Sequence, residues 1–160
     1  MYRININTEH GTFTALFSEK GLTRLEFPSR DRWRPESADL LPPKVKQWKQ
    51  WTAEAVEAVL IGRTPRALPP LDWSGATEFQ VEVWKVLLAI KAGETKSYAE
   101  IATRLRKPAA ARAVGNACGA NPIPVLVPCH RVLAQGNQLG GFSGGLRWKK
   151  FLLEKEGVRL

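Results

Sequence analysis

Hydrophobic and polar residues alternate in three short stretches at the start of the chain. Tyr2 to Thr8, Thr12 to Ser18 and Leu22 to Phe27 each put every second residue on one face, as half-buried strands do. Gly11 and the Ser18-Glu19-Lys20-Gly21 stretch supply the turns between them. A polar connection containing Pro28, Pro35, Pro42 and Pro43 follows. From Lys44 to Ile61 the spacing changes, and Val45, Trp48, Ala55, Val56, Val59 and Leu60 fall on one face of a helix. Residues 62–74 hold Gly62, Pro65, Pro69 and Pro70, with Gly75 just beyond, and read as a linker. The pattern predicts a small α+β unit over residues 1–74.

Residues 75–160 read as a second, mostly helical unit. Thr77 and Gln80 form a capping-box pair that opens a helix with Phe79, Val83, Trp84, Leu87 and Leu88 on one side, and Gly93 ends it. Ser97 and Glu100 form a second pair, for a helix reaching about Arg106. Lys107-Pro108 breaks that helix, and Pro108 suits the first position of the next. Ala109 to Gly119 is then a short Ala-rich helix, stopped at Asn121-Pro122. Two short helices joined by a tight turn fit a helix-turn-helix. The second carries Ala109, Ala110, Ala111, Ala113, Gly115 and Ala117 around a single Arg112. Such a small-residue face suits close approach to a surface. It also suits tight helix packing in a core, and pattern alone favours that reading slightly.

Composition narrows the class. The 160 residues are 44% hydrophobic and 24% charged, which suits a folded chain of one domain or two small ones. No apolar run approaches the roughly 18–20 residues of a membrane span, and the N-terminus lacks a secretory apolar core, so a cytoplasmic location is expected. The net charge of +9 is uneven: residues 1–74 carry 11 Lys/Arg against 9 Asp/Glu, residues 75–160 carry 13 against 6. A basic half points to a polyanion, nucleic acid first, although charge alone fits a merely basic surface equally well. Two cysteines, Cys118 and Cys129, make no disulfide framework. With His10 and His130 they show no CxxC or HxxxH spacing, so no metal site is expected.

The chemical centre is Pro128-Cys129-His130-Arg131. Val125-Leu126-Val127 before it reads as a buried strand or extended segment that delivers Cys129 to its end. A free thiol has a pKa of about 8.5, so a nucleophilic role needs a base or a positive neighbour to hold the sulfur ionised. His130 and Arg131 are adjacent, but neighbours on an extended chain point to opposite faces, so His130 would reach the thiol only through a bend or a bridging water. On sequence physics alone a buried structural cysteine beside an ordinary histidine is the commoner outcome, with nucleophilic chemistry the alternative.

The segment Asn121-Pro122-Ile123-Pro124-Val125-Leu126-Val127-Pro128-Cys129-His130-Arg131-Val132 closely resembles the active-site stretch of the O6-alkylguanine-DNA alkyltransferases. The likeness continues upstream through Phe79-Gln80, Val83-Trp84, Thr95-Lys96-Ser97-Tyr98 and Ala111-Arg112-Ala113-Val114-Gly115. Downstream it runs through Gly140-Gly141-Phe142-Ser143-Gly144-Gly145, Lys149, Leu152-Leu153 and Glu156-Gly157. Order and spacing hold over residues 77–157.

The resemblance implies an α+β protein: a small N-terminal α/β, ribonuclease-H-like domain and a C-terminal helix-turn-helix domain that binds duplex DNA. It implies direct damage reversal, in which Cys129 takes an alkyl group, once, from O6 of guanine and, less well, from O4 of thymine, without a cofactor. Cys129 matches the alkyl acceptor, His130 its base through a water, Glu156 the carboxylate that orients the imidazole, and Asn121 the residue tying this network to the chain turn. Tyr98 matches the tyrosine that assists nucleotide rotation and bonds the leaving guanine at N3, and Arg112 the arginine that fills the base stack after flipping. Ala111 and Gly115 match the DNA-facing small residues, and Trp84, Pro124, Val132, Phe142 and Ser143 the substrate pocket. Phe142 stands where some relatives have tyrosine. Cys129 itself argues against the alkyltransferase-like proteins, which lack the reactive thiol, and Cys118 has no counterpart role. The expected partner is damaged double-stranded DNA, and the expected solution state a monomer, with clustering on DNA left open.

Overall fold

A computed structural model describes residues 1–30, 37–142 and 144–160. Three strands, β1 (Tyr2–Thr8), β2 (Gly11–Phe17) and β3 (Leu22–Glu26), form an antiparallel meander in the order β1-β2-β3. Their alternation is realised: Ile4, Ile6, Phe13, Ala15, Phe17, Leu22 and Leu25 are buried on one face. Register runs from Tyr2 opposite Phe17 to Thr8 opposite Gly11, with an irregularity at Leu16/Phe17 before β3. Helix α1 (Pro43–Leu60) covers this face, with Pro43 in its first turn where a missing N–H costs nothing. It buries the predicted stripe plus Thr52, whose hydroxyl donates to the Trp48 carbonyl at 2.7 Å. Pro35 of the polar connection lies outside the described residues.

The stretch read as a linker does more than connect. Leu22 donates its N–H to the Pro70 carbonyl and accepts from the Asp72 N–H, both at 2.8 Å, so residues 70–72 add a short parallel bridge to β3. Polar Pro/Gly composition conceals this, because backbone pairing leaves no side-chain signature. Further along the same edge, the Leu25 N–H donates to the Pro122 carbonyl at 3.0 Å. The sheet edge therefore holds the chain just before the cysteine segment.

Helix α2 (Glu78–Leu88) and helix α3 (Tyr98–Arg104) open with the predicted capping boxes, Thr77 with Gln80 and Ser97 with Glu100. On α2, Val83, Trp84 and Leu87 are buried, whereas Leu88 is exposed, because it rotates past the edge of the buried stripe. α3 ends two residues earlier than expected, with Arg106 at φ 60. Pro108–Ala110 forms a 3-10 turn, and α4 (Ala111–Gly119) follows it rather than starting at Ala109. A two-residue parallel pairing joins β4 (Lys96–Ser97) to β5 (Val132–Leu133). The chain closes with α5 (Leu146–Lys155). Gly62, at φ +79 beyond α1, lies so close to α5 that an added Cβ would sit 2.1 Å from the Lys155 carbonyl oxygen. This contact sets the end of α5, and with it Glu156, against the body of the protein.

Candidate active site

Residues 121–128 fold as a largely buried chain of turns, so the expected strand at Val125–Val127 is absent. Pro122, Pro124 and Pro128 lack the N–H groups that a sheet ladder needs. The Leu126 N–H instead donates to the Pro124 carbonyl at 2.9 Å, with Val125 at φ 74, a tight turn that branched residues rarely enter. The Cys129 N–H donates to Val127 at 2.8 Å around Pro128, whose φ −81 and ψ 64 mark an inverse γ-turn. Asn121 braces the loop from inside, donating through Nδ2 to the Val127 carbonyl and accepting the Ile123 N–H on Oδ1, both at 2.9 Å. Cys129, His130 and Arg131 then form one turn of 3-10 helix. The opposite-face geometry of an extended chain does not apply to Cys129 and His130.

Behind the cysteine lies a polar core. His130 Nε2 pairs with Glu156 Oε1 at 2.7 Å, and both side chains are fully shielded from solvent. Arg131 donates to the same carboxylate from Nε and Nη2 at 2.9–3.2 Å, and from Nη1 to the Ile90 carbonyl at 2.6 Å. Burial by itself raises the Glu156 carboxyl, but the hydrogen bonds and charges of His130 and Arg131 outweigh it and bring it down to about 2. Burial lowers His130, partly offset by Glu156, so the ring is neutral at pH 7. Its Nδ1 is buried without a hydrogen-bond partner among the described residues and stands ready to accept a proton. Burial likewise pushes the Cys129 thiol up, against smaller opposing contributions from Asn121 and Lys149. Burial therefore works against the ionised sulfur expected from the sequence, and a nucleophilic role at this position would need a base.

Cys129 lines a cleft of about 500 Å³ with Tyr98, Ala111, Arg112, Gly115, Cys118 and Phe142. The β4–β5 pairing brings Tyr98, first residue of α3, beside the chain that leaves Cys129. Its ring passes over Gly115, where a Cβ would lie 3.9 Å from it. Arg112 is exposed on α4 and makes no ion pair or hydrogen bond among the described residues. Trp84, Pro124 and Val132 are buried and are not among the residues that line the cleft. Trp84 supports α4 from behind, donating from Nε1 to the Ala117 carbonyl at 2.9 Å. Ser143 lies outside the described residues.

Two members of the site carried too little sequence signal to be assigned roles. Arg131 reads as a source of nearby charge, yet its guanidinium clamps Glu156. Lys149 reads as one helical lysine among several, yet it is fully buried, with Nζ donating to the carbonyls of Val132 at 2.7 Å and Gly141 at 3.3 Å. Its place on the α5 face with Leu152 and Leu153 was the available clue. Cys118 lines the same cleft as a buried thiol, raised to about 12 by burial first and by Cys129 second. Among the described residues no group of three or more His, Cys, Asp or Glu side chains could hold a metal ion, and no helix is long and apolar enough to cross a membrane.

Residues 78–158, which include Tyr98, Arg112, Cys129, His130 and Glu156, match the family model of the DNA binding domain of 6-O-methylguanine DNA methyltransferase. The methylated-DNA–protein-cysteine methyltransferase of Mycobacterium tuberculosis is 42% identical over 132 residues, 82% of this chain and 74% of that protein. The chain belongs to the methylated-DNA–protein-cysteine methyltransferase family. A member of the family from Methanosarcina barkeri is 38% identical over 156 residues, 98% of this chain and 97% of its own length. The crystal structure of Mycobacterium tuberculosis OGT in complex with DNA superposes with a TM-score of 0.79 at 37% identity, covering 98% of this chain and 92% of that one. O6-methylguanine-DNA methyltransferase from Pyrococcus kodakaraensis KOD1 gives a TM-score of 0.68 at 28% identity, covering 98% of both chains. The α+β architecture is that of the family.

Proposed function

We propose that this protein repairs DNA by moving an alkyl group from O6 of guanine, and from O4 of thymine, onto Sγ of Cys129, once per molecule. The observation that carries this reading is a thiol on a cleft with a neutral imidazole beside it in the chain and an ionised carboxylate behind that imidazole. In the reaction His130 Nδ1 takes the thiol proton, through a water in the reading the family resemblance implies, and Glu156 steadies the imidazolium that results. The sulfur lone pair forms the S–C bond as the C–O6 bond breaks, the electron pair leaves on guanine, which takes up a proton to become the neutral base, and the imidazolium gives its proton back to solvent. Tyr98, whose hydroxyl has no partner among the described residues, donates to N3 of the departing base and lowers its charge. The product is a thioether, and the cysteine is consumed.

The nucleotide reaches the thiol by flipping out of the duplex, with Arg112 entering the stack in its place. Support comes from Arg112, exposed at the cleft and unpaired among the described residues, and from the small residues Ala111 and Gly115 around it, which let α4 approach a surface closely. On this reading α3 and α4 act as a helix-turn-helix within residues 75–160, while residues 1–74 form a ribonuclease-H-like α/β unit that braces it. The protein works in the cytoplasm, needs no cofactor, and meets DNA as a monomer.

The test is intact mass after incubation with alkylated duplex. The wild-type chain gains one alkyl group, located on the peptide holding Cys129, and Cys129→Ser gains none. Tight binding without a mass gain would leave a recognition module rather than an enzyme. Multiple turnovers through a labile thioester would point to a hydrolase.

A further inference from the structure

We infer that Phe27, at the end of the N-terminal sheet, is a positioning residue for the alkyl pocket and so sets which alkyl groups are accepted. The proposal rests on the alkyl-transfer reading of Cys129. Phe27 directly follows β3 and is half-buried. Its ring meets Phe142 edge-on at a centroid distance of 5.6 Å. Phe142 lines the cleft with Cys129, so Phe27 stands one ring behind the cleft wall. On its other sides Phe27 meets Phe13 at 5.6 Å and Trp148 at 5.1 Å, which tie it to β2 and α5.

The loop carrying Phe142 is fitted to this ring. A Cβ at Gly144 would sit 2.4–2.7 Å from three carbons of the Phe27 ring, so the backbone comes closer than any other residue would allow. The wall of the pocket is therefore pressed against the sheet. Interiors relax only partly into space vacated by a truncated side chain, and of the three rings around Phe27 only Phe142 lies on a loop, whereas Phe13 is fixed on β2 and Trp148 on α5. With Phe27 shortened, Phe142 can draw back from Cys129 and the cleft widens. Bulky alkyl groups gain from this, whereas a methyl group already fits.

The test compares single-turnover transfer from O6-methylguanine and O6-benzylguanine duplexes, read by intact mass, in wild type, Phe27→Leu and Phe27→Ala. A melting curve for each variant confirms that it is folded at the assay temperature. The benzyl-to-methyl rate ratio is expected to rise about tenfold in Phe27→Ala, the scale on which a hydrophobic pocket discriminates small changes in size, and by less in Phe27→Leu. Where Phe27→Ala fails to fold, the direction in Phe27→Leu decides. A general loss of stability slows both substrates alike and does not raise the ratio. An unchanged or lowered ratio in a folded variant overturns the inference while leaving alkyl transfer intact. A wild-type chain that accepts neither group overturns the transfer reading itself.

Discussion

Two interiors stand side by side in this molecule. Beneath the sheet, Ile4, Ile6, Phe13, Phe17, Val45 and Val56 pack without a charged group among them. Behind the cleft, His130, Arg131, Lys149 and Glu156 are buried together, paired with one another or with main-chain carbonyls. The first interior is held by removal of apolar surface from water, which is non-directional and tolerant of small errors. The second is held by directional bonds whose loss leaves a charge stranded in a medium that solvates it poorly. Stability and the candidate chemistry thus rest on different physics in two parts of one fold, and the two respond differently to substitution.

The sharpest way to break the contrast is Arg131→Met. Removing one partner of a buried ion pair costs about 3–5 kcal/mol, and the freed Glu156 no longer holds His130 in place. Denaturant unfolding and transfer rate are expected to fall together. Ile6→Ala, by comparison, is expected to cost about 2–5 kcal/mol while the transfer rate per folded molecule stays at the wild-type value. A lowered rate in folded Ile6→Ala would merge the two interiors.

Acid distinguishes them more gently. The Glu156 carboxyl lies at about 2, below its ordinary 4.5, so the unfolded chain binds that proton more readily than the folded one. This contribution is complete above about pH 4.5 and is lost as the pH falls through about 2. The lowered His130 acts in the same sense, its contribution declining once the pH drops below the ordinary histidine value of 6.5. Stability curves across this range are expected to slope downward toward acid, and Glu156→Gln to flatten the lower limb. The smallest effect expected is that of Thr77→Ala, which removes the cap of α2 at about 1 kcal/mol with no change in the pH dependence of transfer.

Much of the regular structure was legible because it obeys local rules. The strands and α1 announce themselves by period, and both capping boxes by a hydroxyl three residues before a Gln or Glu. The cysteine segment misled for a specific reason. Val125-Leu126-Val127 has the composition of a strand, and only the surrounding prolines and the Asn121 bonds turn it into a buried coil with Val125 at φ 74. The linker misled in the opposite sense, since residues 70–72 join the sheet through backbone atoms alone.

By itself, the amino-acid sequence determined which residues are candidates for the chemistry, where the helices start, which faces are apolar, and to which family the chain is similar, because each is written in residue type and short-range spacing. The Glu156–His130 pair was implied by the resemblance, but tertiary structure alone decided that Arg131 clamps that carboxylate, that Lys149 is buried and that Phe27 stands behind Phe142. Such contacts join distant parts of the chain, and their strength depends on burial. Neither property exists until the elements have packed.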